Sequence, residues 1–291
     1  MAQIVAIGIA TLDIINVTDG YPAEDAELRA ESQRVTRGGN ATNTLVVLSQ
    51  LGHHCQWGGT LGDDAAGTFI EQDLQHNQIG MAAVRRVTGG RTPTSYITLN
   101  RRNGSRTIVH YRDLPEFSLD DFQALSLDQT AWLHFEGRNV AQVRAMITAA
   151  RQAYPALPIS VEIEKPRPAI ETLWREVDVL LFARHYARAT GHESAQALLQ
   201  SAQAPLADTP RPPLLVCSWG EQGAFALAQG QLLHVPAVPV QPVVDTLGAG
   251  DTFNAGFIHA YLQSADALTA LQHACRLAGK KCMQHGFAGL V

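Results

Sequence analysis

The stretch "DTLGAGDTFNAGFI", Asp245 to Ile258, decides how the rest of the chain is read. Three small residues, Gly248, Ala249 and Gly250, stand between two aspartates where an apolar, strand-like run gives way to an amphipathic helical pattern. Small residues at such a junction let the backbone approach a ligand, and free amides at a helix start favour an anion. Asp251 then lies beside that anion and gains nothing from its charge, so it needs another task. Taking a proton from a hydroxyl as that hydroxyl attacks phosphorus would supply one. The competing reading is an ordinary first-turn carboxylate stabilised by the helix dipole. Two familiar nucleotide loops are excluded. No Lys-Ser/Thr follows the glycines, as a Walker A loop requires, and the spacing and C-terminal position do not fit the dinucleotide fingerprint.

A second glycine-marked helix start lies upstream in "TRGGNATNTLVVLSQLG". Gly38 and Gly39 precede Asn40, and Asn43 follows three residues later on the same helical face. Paired amide side chains at a helix mouth suit a polyhydroxylated ligand; the alternative is a tight turn with Asn40 as a cap. Asp13 ends an apolar N-terminal run, where an α/β sheet binds ligands, and can accept hydrogen bonds from hydroxyls or serve a turn. Arg106 in "GSRTI" and Arg138 in "FEGRN" occupy strand or strand-end settings from which a guanidinium can reach phosphate oxygens or form a surface ion pair. "CSWGEQGAFAL" turns at Gly220 and Gly223 after a buried strand, a shape that fits a hairpin or a ribose equally well.

With 291 residues, 46% of them hydrophobic and 17% charged, the chain can bury a large core. A net charge of −5 and no basic run argue against nucleic acid or an anionic membrane as partner, leaving small molecules. The opening "MAQIVAIGIATLDII" lacks a basic flank and meets Asp13 early, as a buried strand would and a signal peptide or membrane span would not. Cytoplasmic residence is the expectation. Cys55, Cys217, Cys275 and Cys282 lack metal-ligand spacing and read as buried, reduced thiols.

Short β-branched runs alternate with helical patterns, which predicts an α/β fold with a mostly parallel sheet and helices on both faces. Two segments break the rhythm: residues 14–36, with "AELRAESQRV", and residues 92–112, where Asn103-Gly104 marks a hairpin. They are expected to leave the main sheet and form a small β lid. The division that follows is a core of residues 1–11, 37–91 and 114–291, with a lid of residues 12–36 and 92–113.

"RGGNATNTLVVLSQLG" and "DTLGAGDTFNAGF" resemble the two signatures of the PfkB, or ribokinase-like, carbohydrate kinases, and the further stretches "GSRTI", "HFEGRN", "SVEIEKPR", "LLVCSWGEQGA" and "AGKKCMQHGF" are similar to its ketohexokinase branch. The resemblance runs over nearly the whole chain. It implies a three-layer α/β/α core, and an activity that moves the γ-phosphoryl group of ATP to a sugar hydroxyl, C1 of fructose in that branch. It implies that Asp13, Gly39, Asn40 and Asn43 bind the sugar with Arg138 nearby, and that Asp251 is the base. Gly248, Ala249 and Gly250 would form the anion hole for the transferring group. Arg106 would approach the nucleotide phosphates, and Gly220, Glu221, Gln222 and Gly223 would lie by the nucleoside. Magnesium is implied, potassium is a further candidate, and two lids are expected to clasp in a homodimer. Many members carry Asn-x-x-Glu where this chain has "LLFARHYARATG", so no residue is assigned to the metal. Another sugar, a sugar acid or a nucleoside remains an alternative substrate, and a non-catalytic sensor on the same fold is the rival from another class.

Overall fold

The computed structural model describes residues 1–291. Nine strands form the main sheet. From one edge it runs β13 (Gln231–Val235), β12 (Ala224–Ala228), β11 (Leu214–Ser218), β10 (Val179–Ala183), β9 (Ile159–Ile163), β8 (Thr130–Glu136), β1 (Gln3–Ile7), β4 (His54–Gly62) and β5 (Ile79–Val87). Pairing is parallel from β5 to β11 and antiparallel across β12 and β13.

Both faces of this sheet are buried because successive residues of its strands feed opposite cores. Val5, Ile7, Leu133, Phe135, Leu180 and Phe182 pack with α3 (Leu119–Gln123), α4 (Val140–Ala153), α5 (Arg184–Ala189) and α6 (Ala195–Gln203). Their chain neighbours Ile4, Ala6, Trp132, Val179 and Leu181 pack with α1 (Asn40–Gln50), α2 (Ala65–His76), α7 (Ala249–Ser264) and α8 (Ala267–Cys282). This is the expected three-layer arrangement. The chain leaves β1 for β4 on one side and returns as β8 on the other, so the crevice beyond the carboxyl ends of β1 and β8 is a topological switch point.

A separate four-stranded sheet runs β3 (Ser32–Gly38), β2 (Thr11–Thr18), β6 (Thr94–Asn100) and β7 (Arg106–Tyr111). Its strands lie mostly in the two segments that break the alternation, although β2 begins at Thr11, β3 runs to Gly38 and residues 19–31 form a loop rather than strand. All four cysteines are free; Cys55, Cys217 and Cys275 are buried, whereas Cys282 is only partly so. No helix is long and apolar enough to cross a membrane.

Candidate active site

Helix α7 starts without a side-chain cap: Gly248 is its N-cap at φ 77°. An L-residue there would be strained, and its Cβ would fall 2.3 Å from the Phe287 ring. Two residues on, Gly250 faces open space, with nothing within 4 Å of where a Cβ would stand. The amides of Gly250 and Asp251 donate to no backbone acceptor, so the helix start presents unpaired N–H groups to that space. The loop before it is pinned from three sides at Asp245. Arg34 of β3 meets its Oδ2 at 2.7 Å, His285 approaches at 3.4 Å, and the fully buried Lys281 ammonium donates to the Asp245 carbonyl at 3.2 Å. Lys281 also donates to the Gln284 carbonyl and lies 5.7 Å above the Phe287 ring.

Asp251 is buried at this helix start, and Asn43 Nδ2 donates to its Oδ2 at 2.7 Å. Burial pushes its carboxyl up to about 7, against the Asn43 hydrogen bond, with Glu164 and Glu136 raising it further and Arg37 opposing them. Glu162, at the end of β9, is pushed well above its ordinary range by burial and then by Asp251, Glu164 and Glu136. It accepts from Asn254 Nδ2 at 3.1 Å and from Asn40 Nδ2 at 3.0 Å, while Asn40 also reaches Glu164 at 3.2 Å. Glu136 closes β8 and accepts from the Ile9 amide at 2.9 Å. Four carboxyl groups thus gather around one helix start, and burial pushes three of them, Asp251, Glu162 and Glu136, above their ordinary range.

Gly39 caps α1 at φ 106°, and a Cβ on it would fall 2.1 Å from the Ile9 carbonyl oxygen. The glycine lets α1 sit directly on the end of β1, which places Asn40 and Asn43 in the crevice. Asp13 faces the same space from β2. Thr11 Oγ1 donates to it at 2.7 Å, and burial raises its carboxyl against hydrogen bonds from Thr11 and Ser95 and the charges of Arg37 and His110. Cross-strand register puts Thr36, Asp13, Ser95 and His110 in one row on the sheet face that meets the core. Arg138 approaches Glu136 at 3.5 Å and Glu116 at 3.6 Å, so its guanidinium is loosely held.

The expected nucleotide side is less closely assembled. Gly220–Gln222 is a single tight turn, and Gly223 at φ 87° packs where a Cβ would meet the Val235 carbonyl oxygen at 2.0 Å. Glu221 pairs with Arg184 at 2.8 Å. Arg184 belongs to "LLFARHYARATG", so the stretch that lacks Asn-x-x-Glu touches this turn. Arg106 opens β7, is exposed and pairs with no carboxylate. Residue patterns alone did not single out Glu136, Glu162, Glu164, Asn254, Arg37 or Lys281. The available signal was glutamates at the ends of apolar runs, one in "WLHFE" and two in "ISVEIE", at strand ends that line a crevice.

An anion-accepting helix start above a buried carboxylate, faced by amides and a second aspartate, is a phosphoryl-transfer geometry. A model of the pfkB family carbohydrate kinases matches residues 1–289. The chain belongs to that family. It is a phosphotransferase that uses an alcohol group of a sugar as acceptor and ATP as donor. It is 40% identical to ketohexokinase of Mus musculus over 99% of both chains. It is 26% identical to ribokinase of Bacillus subtilis over 99% of this chain and 96% of the relative. The structure of Arabidopsis thaliana ribokinase, complexed with ribose and ATP, superposes with a TM-score of 0.81 at 23% identity, covering 98% of this chain and 94% of that one. The fold is therefore ribokinase-like.

Proposed function

We propose that this chain is a ketohexokinase that phosphorylates the C1 hydroxyl of fructose. The observation that carries the reading is the 40% identity with the mouse enzyme, which covers 99% of both chains. Asp13, Asn40, Asn43 and the Gly39 backbone hold the sugar, with Arg138 beside it, so that the acceptor hydroxyl lies against Asp251. Asp251 accepts the hydroxyl proton as its oxygen attacks phosphorus. The unpaired amides of the α7 start take the negative charge on the transferring group, and Gly248, Ala249 and Gly250 leave room for it. Arg106 on the small sheet and the Gly220–Gly223 turn are assigned to the phosphates and nucleoside of ATP. The carboxyl groups gathered at the α7 start are not arranged as metal ligands, nor are any other three His, Cys, Asp or Glu side chains, so the protein offers no ready-made cage for magnesium. Magnesium would enter with the nucleotide phosphates and neutralise their charge. Potassium is left to the assay. The cytoplasm, where ATP and free thiols coexist, is the assigned compartment.

The small sheet is assigned as a lid that also dimerises. Its inner row, Thr36–Asp13–Ser95–His110, is polar, whereas the adjacent outer row is Val35–Ile14–Tyr96–Val109, with Val109 65% exposed. An exposed apolar row on a sheet of this size calls for a cover, and a second lid provides one. Val109→Lys is expected to give a monomeric mass by light scattering at micromolar concentration; a parent protein already monomeric and fully active overturns the assignment.

The decisive assay couples ADP release to a panel of ketoses, aldoses, sugar acids and nucleosides with magnesium, with and without potassium. Fructose should lead, and phosphorus NMR should place the phosphate on C1. A phosphate on C6, or preference for a nucleoside or sugar acid, overturns the substrate while keeping the kinase. Sugar binding without turnover of any candidate would leave a sensor.

A further inference from the structure

Arg37 ends β3 in the run "TRGGN" and is 4% exposed. Its guanidinium has three partners from two helices. Nε donates to Asp73 Oδ2 of α2 at 2.5 Å, and NH1 donates to Thr42 Oγ1 at 2.9 Å and to Asn43 Oδ1 at 2.7 Å on α1. Asn43 in turn spends its amide nitrogen on Asp251 Oδ2 at 2.7 Å. The polarity of this chain is fixed by chemistry. A guanidinium only donates, so the amide oxygen of Asn43 must face Arg37 and its NH₂ must face Asp251. With the amide turned over, NH₂ would point at a cation and oxygen at a carboxylate, and both contacts would become repulsive.

We propose that Arg37 is a positioning residue for phosphoryl transfer: it locks the Asn43 amide, and the locked amide holds the Asp251 carboxylate in the orientation that receives the sugar proton. This rests on Asp251 being the base. Asp73 is the other half of the device, because its bond to Nε sets the guanidinium plane that presents NH1 to Asn43. The Arg37 charge also acts on Asp251 through space, in the direction that favours the ionised carboxylate. Together with the Asn43 hydrogen bond it counters the burial and the neighbouring glutamates that press a proton onto the base. Asp251 is faced by Asn43 from α1, by Glu162 and Glu164 at the end of β9, by Glu136 from β8, and at longer range by Lys281 from α8. Three of these five are carboxyl groups.

The test is the pH profile of kcat for Arg37→Met and Arg37→Lys beside the parent and Asp251→Asn. For Arg37→Met, kcat near pH 7 should fall by about tenfold, and the acid limb should move up by about half a unit or more. Part of the loss should be recovered at alkaline pH. Arg37→Lys keeps the charge but cannot serve Asp73 and Asn43 together, so it should lose rate with a smaller movement of the limb. A folded Arg37→Met with the parent's limb and kcat within about twofold overturns the proposal, as does a lower melting temperature with a pH-independent loss of rate. Should Arg37→Met fail to fold, Arg37→Lys decides alone, and parental kcat and limb in that variant overturn the proposal. Asp251→Asn separates the two layers. A rate within about tenfold of the parent removes the base itself, whereas an inactive Asp251→Asn with an unmoved Arg37→Met limb removes only the positioning role.

Discussion

Helices α1 and α7 begin alike and do different things. Each has a glycine N-cap in the left-handed region, Gly39 at φ 106° and Gly248 at φ 77°, and neither has a side-chain cap. At α1 the space is filled. Thr42 Oγ1 returns to the carbonyls of Gly38 and Gly39 at 3.0 Å each, Asn40 is bonded to Glu162 and Glu164, and the Ile9 carbonyl stands where a Cβ of residue 39 would go. At α7 the cap glycine is packed on Phe287, but Gly250 opens onto solvent and the amides of Gly250 and Asp251 are unpaired. A glycine pair at a helix start is therefore a statement about backbone approach, and only the surroundings say whether the thing approached is a strand or a ligand.

The largest effect expected from this contrast is at the open helix. Asp251→Asn should cut turnover by ~10² or more while sugar and nucleotide affinity stay near the parent's. The amide keeps the shape and can still hydrogen-bond the hydroxyl, but it cannot take the proton. The melting temperature should hold or rise, because a buried carboxylate is replaced by a neutral group. Full stability with turnover within about tenfold of the parent would reduce Asp251 to a dipole-stabilising carboxylate, and α7 would lose its distinction from α1.

A paired substitution sharpens the comparison next. Gly39→Ala forces an L-residue into φ 106° against a backbone carbonyl and should cost at least about 2 kcal/mol in denaturant unfolding. Gly250→Ala meets no atom in the protein and replaces glycine inside a first helical turn, so stability should hold or rise by up to about 1 kcal/mol. Its methyl would stand in the space assigned to the phosphoryl group, and turnover should fall even so. Equal stability losses for the two variants would mean that the space over Gly250 is closed in solution.

What the sequence disclosed followed from local chemistry. The apolar runs marked the sheet, the interrupted alternation marked the second sheet, and the two small-residue junctions marked the helices that meet at the site. Glu136, Glu162 and Glu164 were not legible as a group, because each closes its own strand region and only the order β1–β8–β9 gathers them beside α7. Lys281 in "AGKKC" reads as a basic helix end in water, yet it is fully buried on two carbonyls and the Phe287 ring. Arg37 reads as one more basic residue of a strand, since its partners Asp73 and Asn43 lie on two different helices. Asn40 and Asn43 were expected to face the sugar, and here their NH₂ groups are committed to carboxylates. A bound sugar can use the second hydrogen of Asn43, but at Asn40 it must displace one of the two carboxylate bonds or use the amide oxygen.

A last effect separates the two ends of α7 itself. At its start, Asp251 is raised from 3.8 to about 7. Toward its far end, His259 Nδ1 lies 2.9 Å from His53 Nε2, with His273 beyond, and burial lowers all three imidazoles, His53 to about 4 from 6.5. The signs are opposite. Between pH 4 and 6.5 the folded protein holds a proton on Asp251 that the unfolded chain has released, so this group makes stability fall as pH rises. Over the same window the unfolded chain protonates His53 while the folded protein does not, so that group makes stability rise with pH. Each whole proton is worth about 1.4 kcal/mol per pH unit in slope, and the two partly cancel in the parent. Asp251→Asn should therefore steepen the loss of stability on acidification, and His53→Gln should flatten or reverse it, as read by urea unfolding at half-unit steps from pH 4.5 to 6.5. Parallel curves for the parent and both variants would show that neither end of α7 holds its group away from its ordinary protonation.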